Sequence, residues 1–298
     1  MMERILVPLD GSPASEAILP FVELLARRVG AEVLLFRAVQ SGVFPVVSAD
    51  EDWGAQDLRP KRMELIRQGV RARTITRAEG AVPAILQTAR EERVSLIAMA
   101  THGKTGLAHL LLGGICEGVL RGSPVPVFAV RPFQASGPAR PAFRNILVPL
   151  DDTGSSLSIL PAACAFASLF GSRLVFLHVA VPGRGALAAL GRDERERAGD
   201  PAPPLENAVQ QAAAAGIRSR ILVDTGDVRD RILARVRSEG IDLIAMTTHG
   251  RSTLSRLLFG SVSEGILRRA EVPLLLCREQ ESPIERRAYG GPRRLKSP

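Results

Sequence analysis

The chain has 298 residues, of which 46% are hydrophobic and 4% aromatic, and it carries a formal net charge of +8. This length favours two domains of ordinary size, with enough hydrophobic residues to fill a core in each. No apolar run approaches the ~20 residues that a membrane-spanning helix needs, and the chain starts without the basic and apolar segments of a signal peptide. With three cysteines that lack metal-ligand spacing, these features predict a cytoplasmic protein without a membrane partner.

The excess positive charge lies mostly outside the two expected domains. Residues 1–130 contain 15 basic and 14 acidic side chains, and residues 145–277 contain the same numbers. Six of the eight excess charges therefore lie in residues 131–144 and 278–298. Since neither domain shows a basic stripe, the sequence argues against nucleic acid as a partner.

Short apolar runs alternate with segments of helical spacing along the first half of the chain. In chain order they predict strand 4–9, helix 14–29, strand 32–39, helix 55–68, strand 70–76, helix 81–92, strand 95–100, helix 113–121 and strand 125–130. The second half predicts strand 145–150, helix 155–170, strand 173–180, helix 203–215, strand 217–223, helix 227–238, strand 242–247, helix 260–269 and strand 272–277.

The two halves are copies of one pattern. Ile5–Asp10 returns as Ile146–Asp151, and Leu96–Gly103 returns as Leu243–Gly250 with one substitution, Ala to Thr. Strands that alternate with helices require right-handed crossovers and a doubly wound sheet. We therefore expect two tandem α/β domains, each a five-stranded, mainly parallel sheet with helices on both faces.

The expected domain boundaries follow the composition. The first domain covers residues 1–130, a proline-bearing linker covers 131–143, the second domain covers 144–280, and a basic tail covers 281–298. Residues 183–204, which are charged and contain prolines, predict an irregular excursion, and the composition of the tail predicts disorder. Pro126 and Pro273 lie in the last strand of each half, which places these strands at a sheet edge because proline cannot donate to a ladder.

A candidate anion site follows the fourth strand of the second half. Thr248-His249-Gly250 is followed by nine residues and then by Gly260-Ser261-Val262-Ser263, which opens the last helix. Free amides and the helix dipole favour a phosphate at such a helix start, and serine hydroxyls could add donors. Alternatively, Gly250 forms a turn and Ser261 caps the helix, both only for folding.

Three motifs together resemble the universal stress protein family. They are Val-Pro-Leu-Asp after the first strand, the Thr-His-Gly loop, and the Gly-Ser-Val-Ser-Glu helix start, and the resemblance covers residues 3–130 and 144–277. The chain as a whole is similar to the tandem two-domain form of that family. The resemblance implies a flavodoxin-like, adenine nucleotide hydrolase-like fold, whose ATP-binding members carry Gly-x2-Gly-x9-Gly-Ser/Thr.

The resemblance implies a nucleotide site in each half, with the better one in the second. In the second half it implies that adenine and ribose contact Pro149, Asp151 and Val179, and that the phosphates contact Gly250, Gly260, Ser261 and Ser263. Thr247 stands where the motif has its first glycine. In the first half it implies contacts from Pro8, Asp10, Ala38, Gly103 and Gly113, while Ala100, Gly114 and Cys116 depart from the motif.

The charged and polar residues beside these motifs admit two interpretations. His102 and His249 could donate to a phosphate oxygen, or could make a structural hydrogen bond to their own loops. Lys104 and Arg251 could screen phosphate charge, or could be exposed cations without a fixed partner. Asp152 beside Asp151 is too little to predict a metal site in the protein itself.

The resemblance implies an ATP-binding stress-response protein, in which nucleotide occupancy, with or without Mg²⁺, modulates conformation or partner binding. A slow ATP hydrolase and a protein-interaction module that binds no nucleotide are the alternatives, and no catalytic residue is predicted. The resemblance also implies that the last strands of the two halves pair antiparallel into an internal pseudo-dimer. A homodimer of two chains and unidentified protein partners are further expectations.

Overall fold

The computed structural model describes residues 2–39, 53–101, 113–132, 142–151, 154–181, 203–248 and 261–278. Ten strands are present in this part of the chain. They are β1 Arg4–Pro8, β2 Glu32–Ala38, β3 Arg71–Arg77, β4 Leu96–Ala100, β5 Val127–Val130, β6 Asn145–Pro149, β7 Arg173–Ala180, β8 Ser219–Thr225, β9 Leu243–Thr247 and β10 Leu274–Cys277.

Nine α-helices connect or flank these strands in the described residues. They are α1 Pro13–Glu16, α2 Leu19–Val29, α3 Trp53–Arg67, α4 Ala81–Glu91, α5 Gly114–Gly122, α6 Leu160–Phe170, α7 Pro203–Ala214, α8 Val228–Ser238 and α9 Ser261–Arg269. A 3-10 helix, Gly154–Ile159, precedes α6. None of the described helices is both long and apolar enough to cross a bilayer.

The predicted helices 14–29 and 155–170 are each interrupted near their start. Pro20 and Pro161 cause the break, because a proline ring clashes with the carbonyl group four residues earlier and has no N–H to donate. In the first half, α1 therefore ends at Glu16 and α2 begins at Leu19. In the second half a 3-10 helix takes the place of the first α-helical turns.

All ten strands form a single sheet in the order β3-β2-β1-β4-β5-β10-β9-β6-β7-β8. Every pairing within a half is parallel, as the doubly wound prediction requires. In each half the chain winds outward in one direction from its first strand and then returns to that strand's other side. The winding therefore switches between β1 and β4, and between β6 and β9, where such sheets form their ligand crevices.

The two half-sheets join through the antiparallel pair β5 and β10. Leu275 pairs with Phe128 at the centre of this junction, between Leu274–Ala129 and Leu276–Val127. The expected antiparallel pairing of the last strands is thus present. The prediction that these strands lie at an edge is correct for each half-sheet and wrong for the whole sheet, because the two edges cover each other. The outer edges of the whole sheet are β3 and β8.

A cluster of phenylalanines fixes the junction on one face of the sheet. Phe128 of β5 stacks on Phe166 of α6 with ring centroids 5.9 Å apart, and it also contacts Phe21 and Phe143. Phe170 extends the cluster through Phe143 and Phe166. Because these rings come from both halves, the hydrophobic core on this face runs continuously across the junction.

Candidate functional site

The carboxyl ends of the two innermost strands of each half lie side by side. In the first half Ile5 and Leu6 of β1 pair with Leu96 and Ile97 of β4. The same register relates β6 to β9 in the second half. Asp10 and Asp151 follow the first of these strands, and both aspartates therefore lie at the switch points where the sequence placed them.

The loop after β1 is held by Asp10 and two serines. The Oδ1 atom of Asp10 accepts hydrogen bonds from the Ser12 N–H at 2.9 Å and from the Ser12 hydroxyl at 2.6 Å. The Asp10 N–H in turn donates to the Ser15 Oγ at 3.3 Å. Gly11 between them has φ +78°, a left-handed conformation that favours glycine. The aspartate is thus fixed in place by its own loop.

The second half repeats one of these contacts. The Asp151 N–H donates to the Ser156 Oγ at 3.3 Å, as the Asp10 N–H does to Ser15. Ser15 and Ser156 are both buried. These serines were not predicted from the sequence, although the spacing Asp-x4-Ser, present in both copies, is the signal that could have identified them.

The predicted adenine contacts lie at the carboxyl ends of neighbouring strands. Pro8 and Pro149 end β1 and β6, while Ala38 and Val179 lie near the ends of β2 and β7, and all four are half-buried. The structure therefore brings each proline to the same sheet end as the aspartate that follows it and the small apolar residue of the adjacent strand.

The residue before Ala38 or Val179 distinguishes the two halves. In the first half Arg37 lies over the aspartate loop, since a Cβ atom built on Gly11 would be 2.6 Å from its Nη1 atom. In the second half the corresponding residue is His178, whose Nδ1 lies 3.2 Å from the carbonyl oxygen of Leu150. The first crevice thus has a guanidinium at its wall, and the second has an imidazole turned toward the end of β6.

The start of α9 is attached to the end of β9. The hydroxyl of Ser263 donates to the carbonyl oxygen of Thr247 at 3.1 Å, and both side chains are buried. A hydroxyl has a single hydrogen to donate, so in this arrangement Ser263 anchors the helix and does not present a donor to a phosphate. Ser261, the first residue of α9, is exposed.

The start of α5 is attached to its strand in a different way. The N–H of Gly113 donates to the carbonyl oxygen of Thr101 at 3.1 Å, so this predicted phosphate contact is also engaged within the protein. Gly114 begins the helix and is exposed. Burial, with a smaller contribution from Glu117, raises the pKa of the Cys116 thiol to about 12, which keeps it protonated at neutral pH.

Several predicted site residues lie outside the described residues. They are Gly103, Gly250 and Gly260, the loop residues His102, Lys104, His249 and Arg251, and Asp152. Among the residues that the structure describes, no group of three or more His, Cys, Asp or Glu side chains could hold a metal ion. The described part of each crevice therefore consists of an aspartate loop, a small apolar wall and the start of a helix.

The sequence and fold match known proteins over most of the chain. The sequence model of the universal stress protein family matches residues 1–131 and 142–278. A universal stress protein of Mycobacterium bovis is 26% identical over 94% of this chain and 96% of its own length. One of Methanocaldococcus jannaschii is 30% identical over 44% of this chain and 83% of its own length.

A crystal structure has the same fold. It is that of a universal stress protein from Archaeoglobus fulgidus, which superimposes with a TM-score of 0.66 at 23% identity and covers 94% of this chain and 97% of its own. The two matches of the family to this chain and the near-complete overlap with that structure agree with the duplicated architecture.

Proposed function

Because this chain belongs to the universal stress protein family, we propose that it binds an adenine nucleotide, ATP with its accompanying Mg²⁺, and binds it more tightly in the second half. Occupancy of that site would alter the conformation of the protein or its contacts with partners during the stress response. Binding, and not hydrolysis, is the proposed activity.

The observation that carries this proposal is the anchored start of α9. The contact between the Ser263 hydroxyl and the Thr247 carbonyl holds the amino end of the helix against the end of β9, beside the switch point. Helix geometry leaves the first amides of α9 without partners in the helix, and the dipole makes that end partially positive. An anion is the ligand that such an end favours.

The asymmetry between the halves supports the second site over the first. The exposed Ser261 offers a hydroxyl where the first half has Gly114. Arg37 also lies over the aspartate loop of the first half, where His178 replaces it in the second. We therefore expect the second site to bind the nucleotide more tightly than the first.

In this proposal Asp151 contacts the ribose or the adenine, and Pro149 and Val179 form the apolar wall. Their positions at adjacent strand ends support that role. Since no described cluster of protein ligands could hold a metal, Mg²⁺ would be carried by the phosphate groups, as it is in many nucleotide sites. Gly250 and Gly260 stay predictions of the sequence.

Isothermal titration with Mg-ATP tests the proposal. We expect saturable binding of one nucleotide per chain at the tighter site, which weakens at least 10-fold in Asp151→Ala and by less in Asp10→Ala. An absence of binding heat at millimolar nucleotide, from protein whose thermal unfolding is cooperative, would refute it.

A protein-interaction module that binds no nucleotide is the second candidate function. The engaged hydrogen of Ser263 and the engaged amide of Gly113 favour it, because these two predicted phosphate donors are used within the fold. A thermal midpoint unchanged by ATP would support this candidate, since a ligand that binds only the folded state must raise the midpoint.

A further inference from the structure

A second cleft lies where the two halves meet, away from both aspartate loops. It has a volume of about 370 Å³ and is lined by residues of α8 and α9, by Glu271, and by Arg131, which directly follows β5. Arg131 directly continues the last strand of the first half, and the other lining residues belong to the second half. Arg131 reaches the cleft because β5 and β10 pair, and domain junctions are common positions for small-molecule sites.

Arginine is the commonest residue type in the lining of the cleft. Four arginines face one carboxylate, that of Glu271, and the four are Arg131, Arg237, Arg268 and Arg269. Glu271 pairs with Arg237 at 2.5 Å, and the contact of Arg269 with Asp230 is long, at 3.8 Å. Burial lowers the pKa of the Arg131 guanidinium, and the charge of Glu271 opposes that shift only in part.

One arginine of the lining also has a donor that is not used. Arg268 pairs with Glu264 through its Nη2 atom, while its buried Nε has no hydrogen-bond partner among the described residues. A buried N–H without a partner is costly to the fold. Positive charge in the last turns of α8 and α9 is favourable for the helices themselves, but this does not account for Arg131, which comes from the other half.

The corresponding place in the first half has a different lining. There Leu86 of α4 lies directly on Gly122 of α5, since a Cβ atom on Gly122 would be 2.4 Å from the Leu86 Cδ1. In the second half Leu233 corresponds to Leu86, and Arg269 corresponds to Gly122. A long charged side chain thus replaces the glycine on which the leucine rests, and Glu271 replaces the neighbouring Pro124. The first difference adds a positive charge at the cleft and the second adds a negative one.

We propose that this cleft binds a small organic anion, a phosphate ester or carboxylate with an apolar body. The arginines contact the anionic group, with Arg131 and Arg269 on opposite sides of the junction. Leu233 and the buried Val236 supply an apolar floor for the rest of the molecule. Because the ligand would contact both halves, its binding would also stabilise their association.

Phenyl phosphate is a suitable probe, with inorganic phosphate as the comparison that lacks an apolar body. We expect saturable binding of one phenyl phosphate per chain in the presence of Mg-ATP, and weaker binding of inorganic phosphate. The Kd should rise about 10-fold in Arg131→Ala and in Arg269→Gly, as the loss of one charge-assisted hydrogen bond does. Arg90→Ala, at the first-half position that corresponds to Arg237, is the matched control and should leave the Kd unchanged.

The experiment distinguishes a loss of binding from a loss of folding. Arg269 is 63% exposed, so its replacement should leave the thermal midpoint near that of the unmodified protein, and the midpoint verifies folding. No saturable binding at millimolar phenyl phosphate would overturn the proposal, as would an unchanged Kd in both arginine variants or displacement of the probe by ATP. Failure of ATP binding alone would leave this site intact.

Discussion

The substitution Ser261→Asp should change nucleotide binding and protein stability in opposite directions. Ser261 is the first residue of α9 and is exposed, so an aspartate fits there without steric conflict. The new carboxylate would stabilise the helix, because the amino end of a helix is partially positive. It would also lie where the proposed phosphates bind.

The magnitudes follow from simple electrostatics. A negative charge in the first turn stabilises an exposed helix by about 0.3–1 kcal/mol. A carboxylate about 4 Å from a phosphate charge costs about 1 kcal/mol in water and more where solvent is partly excluded. Since Ser261 is exposed, we expect a loss of about 1–2 kcal/mol in binding, or about 5–30-fold in the Kd.

Titration calorimetry with Mg-ATP and urea unfolding without ligand measure the two effects separately. Gly114→Asp, at the corresponding position of the first half, is the matched control. It should stabilise α5, because glycine is unfavourable in a helix, and should leave the tighter ATP site unchanged.

Two results would contradict this reasoning. An unchanged ATP affinity in Ser261→Asp would mean that no phosphate lies at the start of α9. An equal loss of affinity in Gly114→Asp would mean that the second half is not the better site.

Three further predictions concern the fold. Phe128→Ala should cost about 3–5 kcal/mol, because it removes a fully buried ring that contacts three others at the junction, and urea unfolding should then show two transitions. Gly118→Val should cost about 1–3 kcal/mol in thermal unfolding, because its Cβ would lie 2.8 Å from the Val82 Cγ2. The hydrogen bond from Arg235 holds the pKa of Asp224 in the folded protein below its usual value. The pair therefore stabilises the fold at pH values above the pKa that Asp224 has in the unfolded chain. This stabilisation is lost as the pH falls through the pKa of Asp224 in the folded protein. Asp224→Asn should therefore lower the urea midpoint at pH 7. The free energy of unfolding should fall by no more than about 1 kcal/mol, and the difference should vanish in acid.

Each of these predictions has a control. Phe36→Ala, in β2 and three strands away from β5, should destabilise the protein yet keep a single transition. Val82→Ala should restore stability to Gly118→Val, and a failure to do so would contradict the steric explanation. A stability difference between Asp224→Asn and the unmodified protein that is independent of pH would show that the ionised pair is not its cause.

The sequence was sufficient to predict the repeat, the alternation of strands and helices and the position of both aspartates. These features depend on hydrophobic period and on residues close together in the chain, and a parallel sheet wound in two directions has few alternatives. The resemblance of Val-Pro-Leu-Asp and Gly-Ser-Val-Ser-Glu to one family was also correct. The broken starts of helices 14–29 and 155–170 could have been predicted as well, since Pro20 and Pro161 are visible in the sequence.

Only the tertiary structure decided how donors and surfaces are used. The hydroxyl of Ser263 is attractive as a phosphate donor in the sequence, yet its hydrogen goes to Thr247, 16 residues away in the chain. The prediction that the last strands lie at a sheet edge was similarly incomplete, because β5 and β10 meet only after both halves have folded. The position of Arg131 in its cleft depends on the same meeting. Local sequence determines which element a residue joins, whereas hydrogen-bond partners and packing depend on groups that distant parts of the chain bring together in space.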